Sequence, residues 1–165
     1  MKFTHAILFC LLVWSCQVAS DTDNVEPGEI GKSLIEGNIV QYYVHTSAGQ
    51  EIEINVDRNG QLLGIYTTLD DSTTQFFSFS KNLHLESRQF LSKSGRANGR
   101  VYNFHEDSGD LEAAFTVVEN VPYGLSKTYY SGSGALHQVA YLDDEGRYDK
   151  LITLSPDGDT LGIDD

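Results

Sequence analysis

Four histidines, His45, His84, His105 and His137, lie beyond the first twenty residues. None stands in an H-x-x-x-H or H-E-x-x-H arrangement. Both cysteines, Cys10 and Cys16, fall near the N-terminus, so no structural zinc site is expected. Carboxylates gather at Asp70-Asp71, Asp143-Asp144-Glu145, Asp157/Asp159 and Asp164-Asp165. Paired acids can hydrolyse glycosides, but these sit in loop-like stretches with no aromatic cleft beside them in sequence. The C-terminal SPDGDTLGIDD concentrates carboxylates without the spacing or the closing glutamate of an EF-hand calcium loop. There is no G-x-S-x-G elbow, and SGSG at 131–134 reads as turn chemistry. The sequence therefore assigns no catalytic residue, metal ligand or cofactor, and a non-enzymatic protein is expected.

The aromatic side chains offer a different chemistry, that of contact. Tyr129 and Tyr130 are adjacent, so on a strand they face opposite sides of the sheet and one of them must point outward. By alternation Leu136, Ala140 and Leu142 share one side of the following strand, the expected core side. Ala135, His137, Val139 and Tyr141 take the other. Tyr141, His137 and one of Tyr129 or Tyr130 are the candidate partner-binding patch, because an aromatic with a polar tip gives contact area at low entropy cost. The competing expectation is that the N-terminal β-region covers this face and makes it a second core layer.

What positions these residues is a β pattern. In GQEIEINVDRNGQLLGIYTT, Ile52, Ile54 and Val56 alternate with Glu51, Glu53, Asn55 and Asp57, giving a strand with one apolar and one wet face. Asn59-Gly60 is expected to supply the positive φ angles of a tight hairpin, with Leu62 to Thr68 returning. Further strands are expected at Gln75 to Ser80 and Leu83 to Leu91, followed by the glycine-bearing loop SKSGRANG. A helical turn or two is expected only near Ile30.

Beyond that loop the chain repeats itself. Sliding by twenty-five residues superposes Gly99 on Gly124, Phe104 on Tyr129, His105 on Tyr130, Ser108 on Ser133, Gly109 on Gly134 and Leu111 on Leu136. A weaker third copy keeps Gly146 and Gly158 but has Thr153 and Leu154 at the aromatic positions. DRNGQL, from Asp57 to Leu62, looks like an earlier degenerate copy. Each copy reads as strand, glycine turn and return strand, and one hairpin cannot bury its apolar face alone. The expected fold is all-β, an antiparallel sheet of successive β-hairpin repeats in a single domain. Residues 37–96 form an N-terminal β-region and 97–165 the hairpin repeats.

Gly124, Tyr129, Tyr130, Gly134, Leu136 and Tyr141 together resemble the MORN-type repeat in its bacterial variant, over about residues 97–162 with an outlier at 49–66. That variant occurs in secreted or lipidated proteins and in antitoxin-component-like proteins, and the resemblance implies a protein-interaction scaffold.

The N-terminus and the charge set the address and exclude some partners. MKFTHAILFCLLVWSCQVAS places Lys2 before an apolar run from Ala6 to Trp14, far short of the roughly twenty residues a membrane span needs. It reads as an export signal. Cleavage after Ser20 and lipidation of Cys16 (a 15-residue leader) are both open, with the bacterial resemblance favouring Cys16. Residues 21–36 read as a polar acidic tether. The destination is then periplasmic or cell-envelope lipoprotein, or secreted. With 24 acids against 11 bases, the net charge of −13 argues against nucleic acid and against anionic membrane surfaces, and suits a basic protein partner. The leading expectation is an exported protein-binding scaffold. A periplasmic immunity or antitoxin-type protein is the alternative, and a carbohydrate-active enzyme is carried only by the acidic pairs.

Overall fold

The computed structural model describes residues 30–34 and 39–165. The export segment, both cleavage readings and Cys16 lie outside the described residues. Twelve strands follow one another: β1 (Ile30–Leu34), β2 (Ile39–His45), β3 (Glu51–Asp57), β4 (Leu62–Asp70), β5 (Thr73–Phe79) and β6 (Leu85–Ser92). The second half comprises β7 (Gly99–Phe104), β8 (Leu111–Val118), β9 (Val121–Tyr129), β10 (Leu136–Leu142), β11 (Tyr148–Leu154) and β12 (Thr160–Asp164). All pair antiparallel with their sequence neighbours in a single open sheet, β1 and β12 forming its edges. The described residues contain no helix, and none of them could cross a membrane as one.

The expected alternation decides the register. Val40, Tyr42 and Val44 of β2 lie opposite Val56, Ile54 and Ile52 of β3, and Ile54 lies opposite Ile65 of β4. A slip of one residue would set this apolar row against Glu51, Glu53 and Asn55. Two local expectations are corrected. Ile30–Leu34 is an edge strand paired with β2 rather than a helical turn, because five residues gain a full ladder there and a lone helical turn gains almost none. At Asn59-Gly60 only Gly60 has positive φ (81°), and Asp57 N donates to Gln61 O at 2.8 Å. This is the three-residue hairpin loop ending in a left-handed glycine.

A left-handed last residue recurs in the loops along one end of the sheet, three residues long after Asp57, Ser80 and Ser155 and four long after His105 and Tyr130. Asp57, Ser80, His105, Tyr130 and Ser155 each accept, through the backbone carbonyl, from a residue in the left-handed conformation: Gly60, Leu83, Gly109, Gly134 and Gly158. The last three loops start twenty-five residues apart, so the sequence period is the hairpin period.

Every strand packs mainly on its sequence neighbours, so β1–β6 extend the sheet and do not lie over β7–β12. The small core lies where the two halves meet. Ala97, Val101 (5% exposed) and Val117 (4%) form it, with Leu91 and Phe115 packed against them. The ladder there is short, with Ser87 opposite Asn103, Arg88 opposite Tyr102 and a Leu91–Ala97 bridge. Side chains reinforce it from the other face, where the Arg88 guanidinium lies 5.6–6.0 Å from the ring centroids of Phe77, Phe90 and Tyr102. Ala140 and Leu142 are buried on the side expected for them. Ala114, on the opposite side of β8 from Phe115 and Val117, is buried too, because its direct cross-strand neighbours are the long side chains Tyr102 and Lys127.

Candidate functional site

Tyr148, Leu161 and Ile163 at the C-terminal edge are the most exposed large apolar side chains, but the apolar surface that runs across adjacent strands is built around β9. Its approach is a two-residue turn, Glu119-Asn120, with φ of 50° and 73°. Positive φ at both positions matches the twist of the flanking strands, and asparagine tolerates it better than most residues. Asn120 is pinned through both its backbone and its side chain: its N donates to Ala97 O at 2.9 Å, and its Oδ1 accepts from Ala97 N at 2.6 Å. Arg96 and Glu119 add an exposed ion pair at 3.6 Å. The turn places Val118 directly opposite Val121.

From there alternation carries Val121, Tyr123 and Leu125 up one side of β9, 38%, 50% and 41% exposed. Leu125 lies opposite Tyr141 of β10, which is 46% exposed. Val118, Val121, Tyr123, Leu125 and Tyr141 therefore form one apolar stripe over three strands, and no described element covers it. Lys127 and Val139 continue the same side above it.

At the lower end of the stripe lies a cleft of about 350 Å³, lined by Val118, Val121, Tyr123 and Asp144. Its far wall is the β10–β11 loop, which packs on the start of β9: a Cβ on Gly146 would meet Pro122 O and Val121 Cγ1 at 3.4 Å. This loop is braced by Asp143, whose carboxylate accepts from Glu145 N (2.9 Å), Arg147 N (2.8 Å) and Arg147 Nε (2.9 Å). Those bonds, the Arg147 backbone bond foremost, hold the Asp143 carboxyl below the usual aspartate value. Arg147 also pairs with Glu145 at 2.8 Å. The Asp144 carboxylate at the cleft lip has no ion-pair partner among the described residues.

The candidate patch divides. Tyr130 and His137 come together, ring centroids 4.3 Å apart, and the Tyr130 hydroxyl donates to Leu154 O. The carbonyl of Tyr129 accepts from His105 Nε2 at 3.2 Å. These three are half-buried, Tyr129 and Tyr130 being tied to neighbouring hairpins and His137 to Tyr130, whereas Tyr141 belongs to the exposed stripe. Sequence reasoning missed Val118, Val121, Tyr123, Leu125 and Asp144. The alternation of Val121, Tyr123 and Leu125 is visible in VPYGLS, but such a row ordinarily reads as core-facing.

A second, more polar cleft of about 410 Å³ lies over β3–β6, with Glu51, Glu53, Tyr66, Asp70 and Lys93 in its lining. Tyr66 stacks on Phe76 at 4.4 Å, and burial, then the Glu53 charge, raises its hydroxyl pKa. Among the described residues no three His, Asp or Glu side chains converge as a metal site. No protein-family model matches this chain, and no curated protein matches it.

Proposed function

We propose that this protein is an exported, non-enzymatic β-repeat scaffold that binds another protein through the stripe on β9. The observation that carries the reading is the joint exposure of Val121, Tyr123, Leu125 and Tyr141 on one face of a single-layer sheet. Contiguous apolar surface of this kind marks interaction sites, and tyrosine is enriched at the energetic centres of interfaces. The MORN-type resemblance of residues 97–162 supports the same class of function, as does the lack of any catalytic constellation in the sequence. The export reading rests on the sequence from Met1 to Ser20. The acidic chain, at −13, favours a basic partner, and on that ground a toxin-neutralising immunity protein is the narrower form of the proposal.

The test is a triple variant, Tyr123→Ser, Leu125→Ser and Tyr141→Ser, compared with the parent for unfolding stability and for cross-linking to envelope proteins of the source cell. Equal stability with loss of a parent-specific cross-link supports the scaffold. A loss of several kcal/mol, as core truncations give, makes the stripe core and sinks it.

A further inference from the structure

We infer that the cleft between the Glu119-Asn120 turn and the 143–147 loop is a subsite for an apolar side chain adjacent to a lysine or arginine, on an extended segment of a partner protein. This rests on the protein-binding reading above and adds what the partner must present. Val118, Val121 and Tyr123 make the cleft's lining apolar, and the exposed Asp144 completes it. Its volume of about 350 Å³ gives ample room for one large side chain, since an engineered apolar cavity of about 150 Å³ already accepts benzene.

The charge arrangement selects the neighbour of that side chain. Asp143 and Glu145 are both engaged by Arg147, and Glu119 by Arg96, so three of the four acids flanking the cleft are already compensated. Asp144 alone offers a carboxylate without a cationic partner among the described residues, and it does so at the lip of an apolar hole. An incoming cation there gains a charge-assisted hydrogen bond while its neighbour removes apolar surface from water. A segment with an acid at that place would meet an uncompensated like charge. A second copy of this chain is the less favoured occupant, because two bodies of −13 repel each other.

The test uses ¹⁵N-labelled full-length protein at low salt and three extended decapeptides that differ at one central pair: Leu-Arg, Leu-Glu and Ser-Arg. The expected result is that only the Leu-Arg peptide shifts the amide signals of Val121, Tyr123 and Asp144. Asp144→Asn should weaken that binding roughly two- to tenfold, and Tyr123→Ser should abolish it. Asp144 is exposed, so the first variant tests charge without threatening the fold. The inference is overturned if Leu-Glu binds as well as Leu-Arg, if Asp144→Asn changes nothing, or if no peptide shifts these signals. It is also overturned if the free protein proves to be a dimer by sedimentation that Tyr123→Ser dissociates, since the occupant is then a second copy. A Leu125→Ser/Tyr141→Ser double variant, which leaves every residue of the cleft intact, tests the scaffold reading by cross-linking on its own, so the two readings can fail separately.

Discussion

The hydroxyl of Tyr130 donates to the backbone carbonyl of Leu154 at 2.7 Å, joining one hairpin loop to the next. Twenty-five residues earlier, His105 Nε2 donates to the carbonyl of Tyr129 at 3.2 Å, and before that the His84 ring bonds the carbonyl of Glu106. Donor and acceptor both advance by the repeat length from the His105 bond to the Tyr130 bond. A single-layer sheet has little core to lock its hairpins together, so these side-chain-to-carbonyl bonds act as stitches along one end. Tyr130→Phe keeps the ring and its stacking on His137 but removes the donor. It should cost about 0.5–1.5 kcal/mol and speed amide exchange in β11 and β12 before β7 and β8. Uniform acceleration across the sheet would show that the bond is not a local stitch.

Leu83 occupies the loop position that Gly60, Gly109, Gly134 and Gly158 occupy elsewhere, at φ of 63° and 52% exposed. A left-handed conformation costs a residue with a Cβ roughly 1–2 kcal/mol, and little apolar burial is lost by removing this side chain. Leu83→Gly should therefore stabilise the protein, by about 0.5–1 kcal/mol once the added freedom of the unfolded chain is counted. A urea midpoint that falls would refute the strain argument.

Three loop aspartates have pKa values below the ordinary one. For Asp57 the main cause is the Gln61 amide, for Asp70 the Ser72 hydroxyl, and for Asp143 the Arg147 amide. Each carboxyl titrates lower folded than unfolded, so its contribution is fully present above about pH 4. It is lost as pH falls through the folded value. The triple Asp→Asn variant should be less stable than the parent at neutral pH, and the gap should narrow as the pH is taken progressively below the ordinary aspartate range in urea titrations. A gap independent of pH would assign the effect to geometry rather than charge.

Legibility followed local chemistry. Ile52, Ile54 and Val56 announce β3 by alternation, and Gly109 and Gly134 announce two loops and their period, so the hairpin sheet is readable. The loop around Leu83 hides its kinship because the signalling glycine is absent. The Glu119-Asn120 turn hides for the same reason, its conformation being held by Ala97, which lies 23 residues away. The patch was half legible. Tyr141 stands out by alternation, but Val121, Tyr123 and Leu125 carry the pattern of a buried row. Among the described residues no second layer lies over them, and no local pattern encodes that.

Gly64 is required by close approach rather than by φ. A Cβ there would lie 2.6 Å from Phe76 Cε2 and 3.1 Å from the Phe77 carbonyl oxygen. The Phe76 ring lies over the glycine and stacks on Tyr66 at 4.4 Å. Gly64→Ala must push that ring aside and should destabilise by about 1–3 kcal/mol, with a change in near-ultraviolet circular dichroism from the displaced pair. An unchanged midpoint would mean that β4 and β5 separate without cost.

Tyr141 and His137 are four residues apart on β10, yet the structure gives them different work. Tyr141 is 46% exposed and touches the sheet chiefly through its cross-strand neighbours Leu125 and Lys150. Cross-strand pairs contribute roughly 0.2–1 kcal/mol, so Tyr141→Ala should cost no more than that. His137 is half-buried with its ring 4.3 Å from that of Tyr130, whose hydroxyl holds Leu154. Losing such a ring contact costs about 0.5–1.5 kcal/mol, and freeing Tyr130 to leave its carbonyl adds to it, so His137→Ala should be the more destabilising change. Partner retention should run the other way. Tyr141→Ala should lose the cross-link that marks the stripe as a working surface, while His137→Ala, kept below its melting range, should retain it. If His137→Ala loses the cross-link and Tyr141→Ala does not, the binding surface lies at the Tyr130–His137 end of the sheet and the stripe on β9 is not the site.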